Sequence, residues 1–542
     1  MNQPQSGPAS VHWADIHADR IIREKGPLGS SRNDGSIKDR YTCASGITPS
    51  GTVHIGNFRE IISVELVVRA LREKGQTARF IYSWDDYDVF RKVPKNLPDA
   101  ERFEEYLRSP ITLVPDPAGK HDSYARANEA ALEALLPEVG VEPEYIYQAE
   151  RYRNSAYAEG VRRALEHRET IRELLNRHRT QPLPEDWWPV TVFSNFTNKD
   201  TTTVLGWDGE YGLTYRCEDT GQEETVDLRH TKAVKLLWRV DWPMRWAHEG
   251  VDFEPAGKDH HSEGGSFDTG ALIAREVYGV EPPTSFQYDF IRIKGRGGKM
   301  SSSSGEVVGL SEVLEIYQPE VVRHLFAGTR PNAEFAISFD LDVIKIYEDY
   351  DKSERIYYGV QEVGAKKRAK ESRIYELSQV GAVPEVMPLQ VPFRHLCNLL
   401  LISAGDIEQA LSAFPGSEQA DAESWRRMRR RARCAWNWIQ YFAPEDFRFT
   451  LRTGEEQPEA VSEAARAALH DVRRVVEGGI AEQDEKQLEQ ALYDTAQKHG
   501  FASKEFFALM YRVLIGRDKG PRLAGFLKTI GRERVLRILS NY

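Results

Sequence analysis

The stretch between Tyr41 and Ser83 constrains this chain more than any other. Tyr41–Ala44 reads as a short strand, and Pro49, Ser50 and Gly51 follow it. Those residue types force a turn. Ile61, Ile62, Val64, Leu66, Val67, Val68 and Leu71 then give Phe58–Lys74 the apolar spacing of a buried helix, which Gly75 stops. Ala78–Ser83 is the next strand. Strand, helix and strand at this spacing argue for a right-handed crossover between parallel neighbours.

At 542 residues the chain is too long for one core, and about three or four domains are expected. Short strands at Val190–Phe193, Thr202–Leu205 and Gly212–Arg216 interrupt the α/β pattern. It resumes near Val234, with a helix at Ala271–Tyr278 and a strand at Phe286–Ile293. Helical periodicity dominates after residue 345, as in Pro392–Leu401, Trp425–Phe442, Glu485–His499 and Lys504–Ile515. The expected fold class is α/β: a doubly wound parallel, Rossmann-type catalytic domain with a small inserted domain, followed by an all-α region. The boundaries read as an N-terminal extension at 1–35, sheet domain at 36–150, insertion at 151–232, second half of the sheet domain at 233–295, connecting region at 296–350 and helical region at 351–542.

Composition excludes several classes. No run of about 18 apolar residues exists, so a membrane span is not expected. The N-terminus lacks a basic and an apolar signal region. Cys43, Cys217, Cys397 and Cys434 are too far apart for a disulfide frame or zinc knuckle; a reducing cytoplasm is expected. The net charge of −11, 72 minus 83, counts mildly against a general nucleic-acid surface but leaves room for local basic patches.

Two segments carry the chemistry. Residues 46–57 end a strand, turn and open a helix near His54–Gly56, where exposed N–H groups and the helix dipole favour phosphate. His54 and Asn57 lie three apart on one helical face. Far downstream, Lys299–Met300–Ser301–Ser302–Ser303–Ser304–Gly305 sets a lysine in a serine-rich loop without the spacing of a P-loop.

Taken together, Ser45–Gly46–Ile47–Thr48–Pro49–Ser50–Gly51 with His54–Ile55–Gly56–Asn57 is similar to the first signature of class I aminoacyl-tRNA synthetases, and Lys299–Ser303 resembles their second. Within that class, residues from about Trp13 to the end resemble the class I lysyl-tRNA synthetase family, through Ser83–Pro94, Gly257–Asp268 and Gly520–Leu523. Two positions depart from the class pattern: Asn57 stands where a second histidine is usual, and Ser302 where a second lysine is usual.

The resemblance implies activation of L-lysine by ATP, with Mg²⁺ on the phosphates, and transfer of lysine to the terminal adenosine of tRNA(Lys). It implies catalytic roles for His54, Asn57 and Lys299. An ATP site would comprise Thr52, His54, Gly56, Asn57, Lys299, Met300, Ser301, Ser302 and Ser303. Gly46, Thr48, Asp85, Trp242 and His260 would hold lysine, and Arg517 and Arg522 are candidate tRNA contacts. An ammonium needs anionic groups and its stem an apolar wall, which Asp85, Asp86 and Asp88 with Trp84, Tyr87 and Trp242 offer. Asp259, His260 and His261 lack cysteine partners, so no metal site is expected. The run Arg426–Arg433 is the densest basic segment, but helical spacing spreads it over more than one face, so several of its arginines should be solvated or paired with acids. A monomer is expected. The alternatives are another class I synthetase of glutamate type, a synthetase-like protein that charges no tRNA, and a cofactor nucleotidyltransferase, which would not explain the long helical region.

Overall fold

The computed structural model describes residues 10–31, 35–94, 97, 99–294, 307–480 and 483–542. They divide into two compact units. The first comprises most of the chain to Val313 together with Pro319–Ile337 and Glu362–Val383.

Its centre is a parallel sheet of β1 (Tyr41–Ile47), β2 (Ala78–Trp84), β3 (Glu144–Tyr147) and, after the insertion, a strand at Val251–Phe253, in spatial order β3–β2–β1–Val251 strand. Tyr41 pairs with Ala78 and Ile47 with Trp84, so β1 and β2 run in register over their whole length. The helix α1 (Trp13–Lys25) precedes β1, and α2 (Ile55–Glu73) is the crossover. Ile61, Ile62, Val64, Leu66, Val67 and Leu71 of α2 are all buried, as their spacing requires. β1 continues three residues past the expected Ala44, which carries the strand to the turn that builds the site.

The insertion contains β4 (Val190–Val192), β5 (Thr202–Trp207), β6 (Gly212–Cys217), β7 (Glu223–Asp227) and β8 (Val234–Leu236). β5, β6 and β7 form an antiparallel sheet, and β4 pairs with β8. The Val251–Phe253 strand is β9, followed by β10 (Ala256–Gly257), β11 (Gln287–Tyr288), β12 (Ile291–Ile293) and β13 (Phe335–Ile337).

The expected single strand Phe286–Ile293 is in fact two. β11 pairs with β10, and β12 pairs with β13. The break has a cause on α2. The buried Arg59 guanidinium donates to the carbonyls of Asp289 (2.6 Å), Phe290 (3.3 Å), Arg330 (3.0 Å) and Ala333 (2.7 Å). The two carbonyls between the strands are therefore satisfied by a side chain, and the strand changes partner at that point.

The second unit comprises Leu314–Gln318, Ser338–Gln361 and Pro384–Tyr542, and is built of helices. Its longest helix, Ala422–Tyr441, holds the arginine run. Arg431 is buried: it pairs with Asp351 at 2.8 Å and donates to Gln318 Oε1 and the Val391 carbonyl. Arg426 pairs with Glu423, Arg427 with Glu354 and Arg429 with Glu408, at 2.6–2.8 Å. Among the described residues, no helix is long and apolar enough to cross a membrane.

Candidate active site

The site forms at the carboxyl end of β1, the usual ligand position in an open α/β sheet. His54 caps α2 in an extended conformation, φ −84°. Its Nδ1 accepts from the Asn57 N–H at 3.3 Å, and the Asn57 Oδ1 accepts from the His54 N–H at 3.3 Å. This reciprocal box satisfies two amides that a helix start otherwise leaves orphaned. It also sets the tautomer: with Nδ1 accepting, a neutral imidazole carries its proton on Nε2. The donors the pair can offer a phosphate are thus the His54 Nε2–H and the Asn57 side-chain amide. Gly56 lies in the first turn of α2, and Thr52 is exposed just before the cap.

Lys299, Met300, Ser301, Ser302 and Ser303 lie outside the described residues. The chain on either side of them is anchored. Lys294 N–H donates to the Ile337 carbonyl at 3.0 Å, and Val308 accepts from the Ile55 N–H at 2.9 Å. Gly309 forms an antiparallel bridge with His54 itself.

Gly46 faces Ser83 across the β1–β2 pair. A Cβ at position 46 would sit 2.7 Å from the Ser83 carbonyl oxygen and 2.9 Å from its Cβ. Glycine is therefore required by close approach. Beside it lies the carboxylate of Glu60, on the second turn of α2. Its Oε1 accepts from Ser45 Oγ at 2.7 Å and from the Gly46 N–H at 3.4 Å. The Tyr288 hydroxyl donates to its other oxygen.

A ladder of three tryptophans forms the facing wall. Trp238, Trp242 and Trp246 are spaced by four along the helix Trp238–Glu249, with successive ring centroids 5.0 Å apart. Trp242 also meets His260 and Phe267 edge-on, at 5.7 and 5.8 Å. His260 Nδ1 lies 3.2 Å from Ser266 Oγ. At the foot of the ladder, Glu254 is buried and accepts from Trp246 Nε1 at 2.7 Å.

Glu60 and Glu254 have no ion-pair partner among the described residues. Burial raises the Glu60 pKa above the usual carboxylate value. Burial first, and the Glu60 carboxylate second, push Glu254 up to about 7. Two buried carboxylates, of which Glu60 raises the proton affinity of Glu254, set against an indole wall, make an attractor for a cation.

The aspartates that follow β2 are differently placed. Asp85 pairs with Arg245 at 2.6 Å, and Arg245 also reaches Asp241 at 3.3 Å. Asp88 pairs with Lys235 and accepts from Thr48 Oγ1 at 2.7 Å. Burial opposes its ionisation, but Lys235 holds it below its ordinary range. Asp86 accepts from the Ala149 N–H at 2.7 Å, and burial lifts it to about 7. The chain's own cations therefore already neutralise Asp85 and Asp88, Thr48 lies against Asp88, and Trp242 lies against His260. Glu60, Glu254 and Tyr288 escape a reading of the sequence. Glu60 follows Arg59 on a helix, and Glu254 follows Asp252 and Phe253, so neither glutamate stands out from its neighbours.

Arg517 donates to the Glu445 carbonyl at 2.7 Å, and Arg522 is exposed at the start of the helix Leu523–Ile530.

A parallel sheet with crossover helices, whose first strand ends at a histidine-capped helix, is the architecture of the Rossmann-type α/β class. The chain belongs to the family described as tRNA synthetases class I (K), whose profile matches residues 11–381. It is similar to the lysine–tRNA ligase of Treponema pallidum (strain Nichols), 52% identical over 98% of this chain and 99% of that one. It is likewise similar to the lysine–tRNA ligases of Borreliella burgdorferi, 50% identical over 98% and 99% of the two chains, and Pyrococcus horikoshii, 42% identical over 98% and 99%.

Proposed function

We propose that this protein is a lysine–tRNA ligase. The observation that carries the reading is the pair Glu60 and Glu254, carboxylates without an ion-pair partner among the described residues, beside the Trp238–Trp242–Trp246 ladder and the end of β1. The ε-ammonium of lysine is the counter-charge this floor needs, and its four-carbon stem fits an indole wall. A glutamate side chain would meet like charge there. Asp85 then acts from behind, holding Arg245, while Gly46, Thr48, Trp242 and His260 shape the space around the amino acid.

In the first step an oxygen of the lysine carboxylate attacks the α-phosphorus of ATP. The bond to the bridging oxygen breaks, pyrophosphate leaves and lysyl-adenylate remains; a Mg²⁺ ion carried by the nucleotide would offset charge on the phosphates. In the second step a hydroxyl of the tRNA's terminal adenosine attacks the acyl carbon, loses its proton and expels AMP. Such phosphoryl chemistry needs positioning and charge neutralisation more than covalent help. His54 and the Asn57 amide would hold ATP oxygens, and Gly56 would let the nucleotide lie on the backbone. The signature loop supplies Lys299 to the charge that builds up at the phosphates. Thr52 and residues 300–303 complete the nucleotide site, and Arg517 and Arg522 are tRNA contacts of the helical unit. The enzyme works as a monomer in the cytoplasm.

The test is ATP–pyrophosphate exchange driven by each amino acid, followed by charging of tRNA transcripts. Lysine-dependent exchange is expected, and exchange with glutamate but not lysine would overturn the reading. In the same assay Lys299→Ala should lower kcat far more than it raises KM; an unchanged rate removes the role given to that loop.

A further inference from the structure

The arginine run looks like the chain's RNA-binding segment, yet Arg426, Arg427, Arg429 and Arg431 are all engaged by acids of their own unit. A second cluster of cations, without an ion pair among the described residues, lies elsewhere. The helix Ala365–Ser378 carries Lys366, Lys367, Arg368 and Lys370, all exposed and without an ion pair among the described residues. Its other end is fastened to the sheet domain: Arg373 pairs with Asp15 at 2.8 Å, and Arg323 donates to the Leu377 carbonyl at 2.9 Å. The anchored end thus holds a charged end in place. That charge has a local cost. Lys366 and Lys370 are four apart on one face and repel, and the first turn holds no acid to relieve them.

These lysines border a cleft of about 1000 Å³. Lys366, Lys367 and Lys370 line it, as does Arg330, exposed and without an ion pair among the described residues; Glu371 is the single acid on the lining. The lining also holds apolar residues: Val11 and Ile16 are 48% and 51% exposed, and Trp13 lies between them in the chain. A row of cations over an apolar, partly aromatic floor is the arrangement that receives a nucleic-acid strand, phosphates on the cations and sugar or base faces on the floor.

Resting on the ligase reading above, we propose that this cleft docks the tRNA substrate, with Lys366, Lys367 and Lys370 on its phosphates and Val11 and Ile16 against its sugar or base surface. Neither the family match nor the chemistry of the adenylate site assigns it. In a chain of net charge −11, such a patch lets a polyanion approach a surface that otherwise repels it.

The experiment compares full-length K366E/K367E/K370E and K366R/K367R/K370R with the parent. Lysine-dependent ATP–pyrophosphate exchange should stay within about twofold in both, since neither variant touches the site at β1. With the glutamates, kcat/KM for tRNA should fall at least tenfold at low salt, and the slope of log kcat/KM against log salt should flatten by about 2 to 3, given roughly 0.7–0.9 per phosphate contact. The arginine variant should retain both. V11S/I16S should raise KM for tRNA without changing that slope. Unchanged kcat/KM for tRNA in K366E/K367E/K370E overturns the proposal and leaves the cleft to an acidic polypeptide. An equal loss of exchange and charging also overturns it, because the damage would then be structural. If the parent exchanges no lysine, the ligase reading fails by itself; gel-shift titration of labelled tRNA against the same variants still decides whether the cleft binds RNA.

Discussion

Replacing Glu60 by glutamine tests the cation floor without disturbing its shape. Glutamine keeps an oxygen for Ser45 Oγ and the Gly46 N–H, and the Tyr288 hydroxyl can rotate to accept from the new amide. What disappears is one negative charge. Two unit charges about 4 Å apart at an effective dielectric near 20 interact by about 4 kcal/mol. Glu60 is partly open to solvent and shares the ammonium with Glu254, so a loss of about 2–3 kcal/mol is expected. At about 1.4 kcal/mol per decade, kcat/KM for lysine in exchange should fall roughly 30- to 150-fold. Stability should move the other way. After burial, the Glu60 carboxylate does most to raise the Glu254 pKa, so removing it lets Glu254 ionise more readily in the folded protein. The melting temperature without lysine, at pH 8, should hold or rise. A variant that exchanges lysine within twofold of the parent, or that melts earlier while activity falls in step, would refute the assignment.

Glu254 itself predicts a pH dependence. Its folded pKa of about 7 stands above the ordinary 4.5, so between those values the folded state binds more protons than the unfolded one. Stability without ligand should therefore fall as pH rises through that window, by up to about 3 kcal/mol for this group at about 1.4 kcal/mol per unit, and lysine should restore more of it at pH 8 than at pH 6; melts with and without lysine at the two pH values measure this, and an equal lysine shift at both would count against it. At the turn, His54→Asn should keep the cap of α2, since asparagine caps well, yet lose the imidazole donor; His54→Ala should lose both, with about 1 kcal/mol of additional destabilisation. Equal melting temperatures for the two would show that the box adds nothing to the fold. Gly46→Ala drives a Cβ to 2.7 Å from the Ser83 carbonyl, and about 1–3 kcal/mol of destabilisation together with loss of exchange is expected from denaturant titration and the same assay. In the helical unit, Asp351→Asn strands the buried Arg431 and should cost about 3–5 kcal/mol, whereas an apolar replacement of both partners should cost much less; a double-mutant cycle by calorimetry reads the difference.

The parts of this architecture that follow from neighbouring residues are visible in the sequence. The apolar spacing of α2 and its flanking strands depends on local periodicity, and it lands within a few residues of the observed elements. Charged residues behave differently, because their partners come from far along the chain. Arg59 and Glu60 are neighbours of opposite charge on one helix. In the fold they face opposite fates: Arg59 is buried against four carbonyls 230 to 274 residues away, and Glu60 turns toward Gly46 and Tyr288 with no ion-pair partner among the described residues. Asp85 and the arginine run show the converse. Both have the composition of a binding site, yet Asp85 is neutralised from within by Arg245, and Arg427, Arg429 and Arg431 of the run by Glu354, Glu408 and Asp351. Sequence shows where charge is, and only the fold shows which charge the chain has already answered. The carboxylates Glu60 and Glu254 and the lysines beside the Val11–Ile16 floor are unanswered in the same sense, one group anionic and the other cationic. A ligase that must hold an ammonium at one place and a polyanion at another needs both kinds of imbalance, each in a separate part of the same unit, so that activation of the amino acid and docking of the RNA can be lost independently.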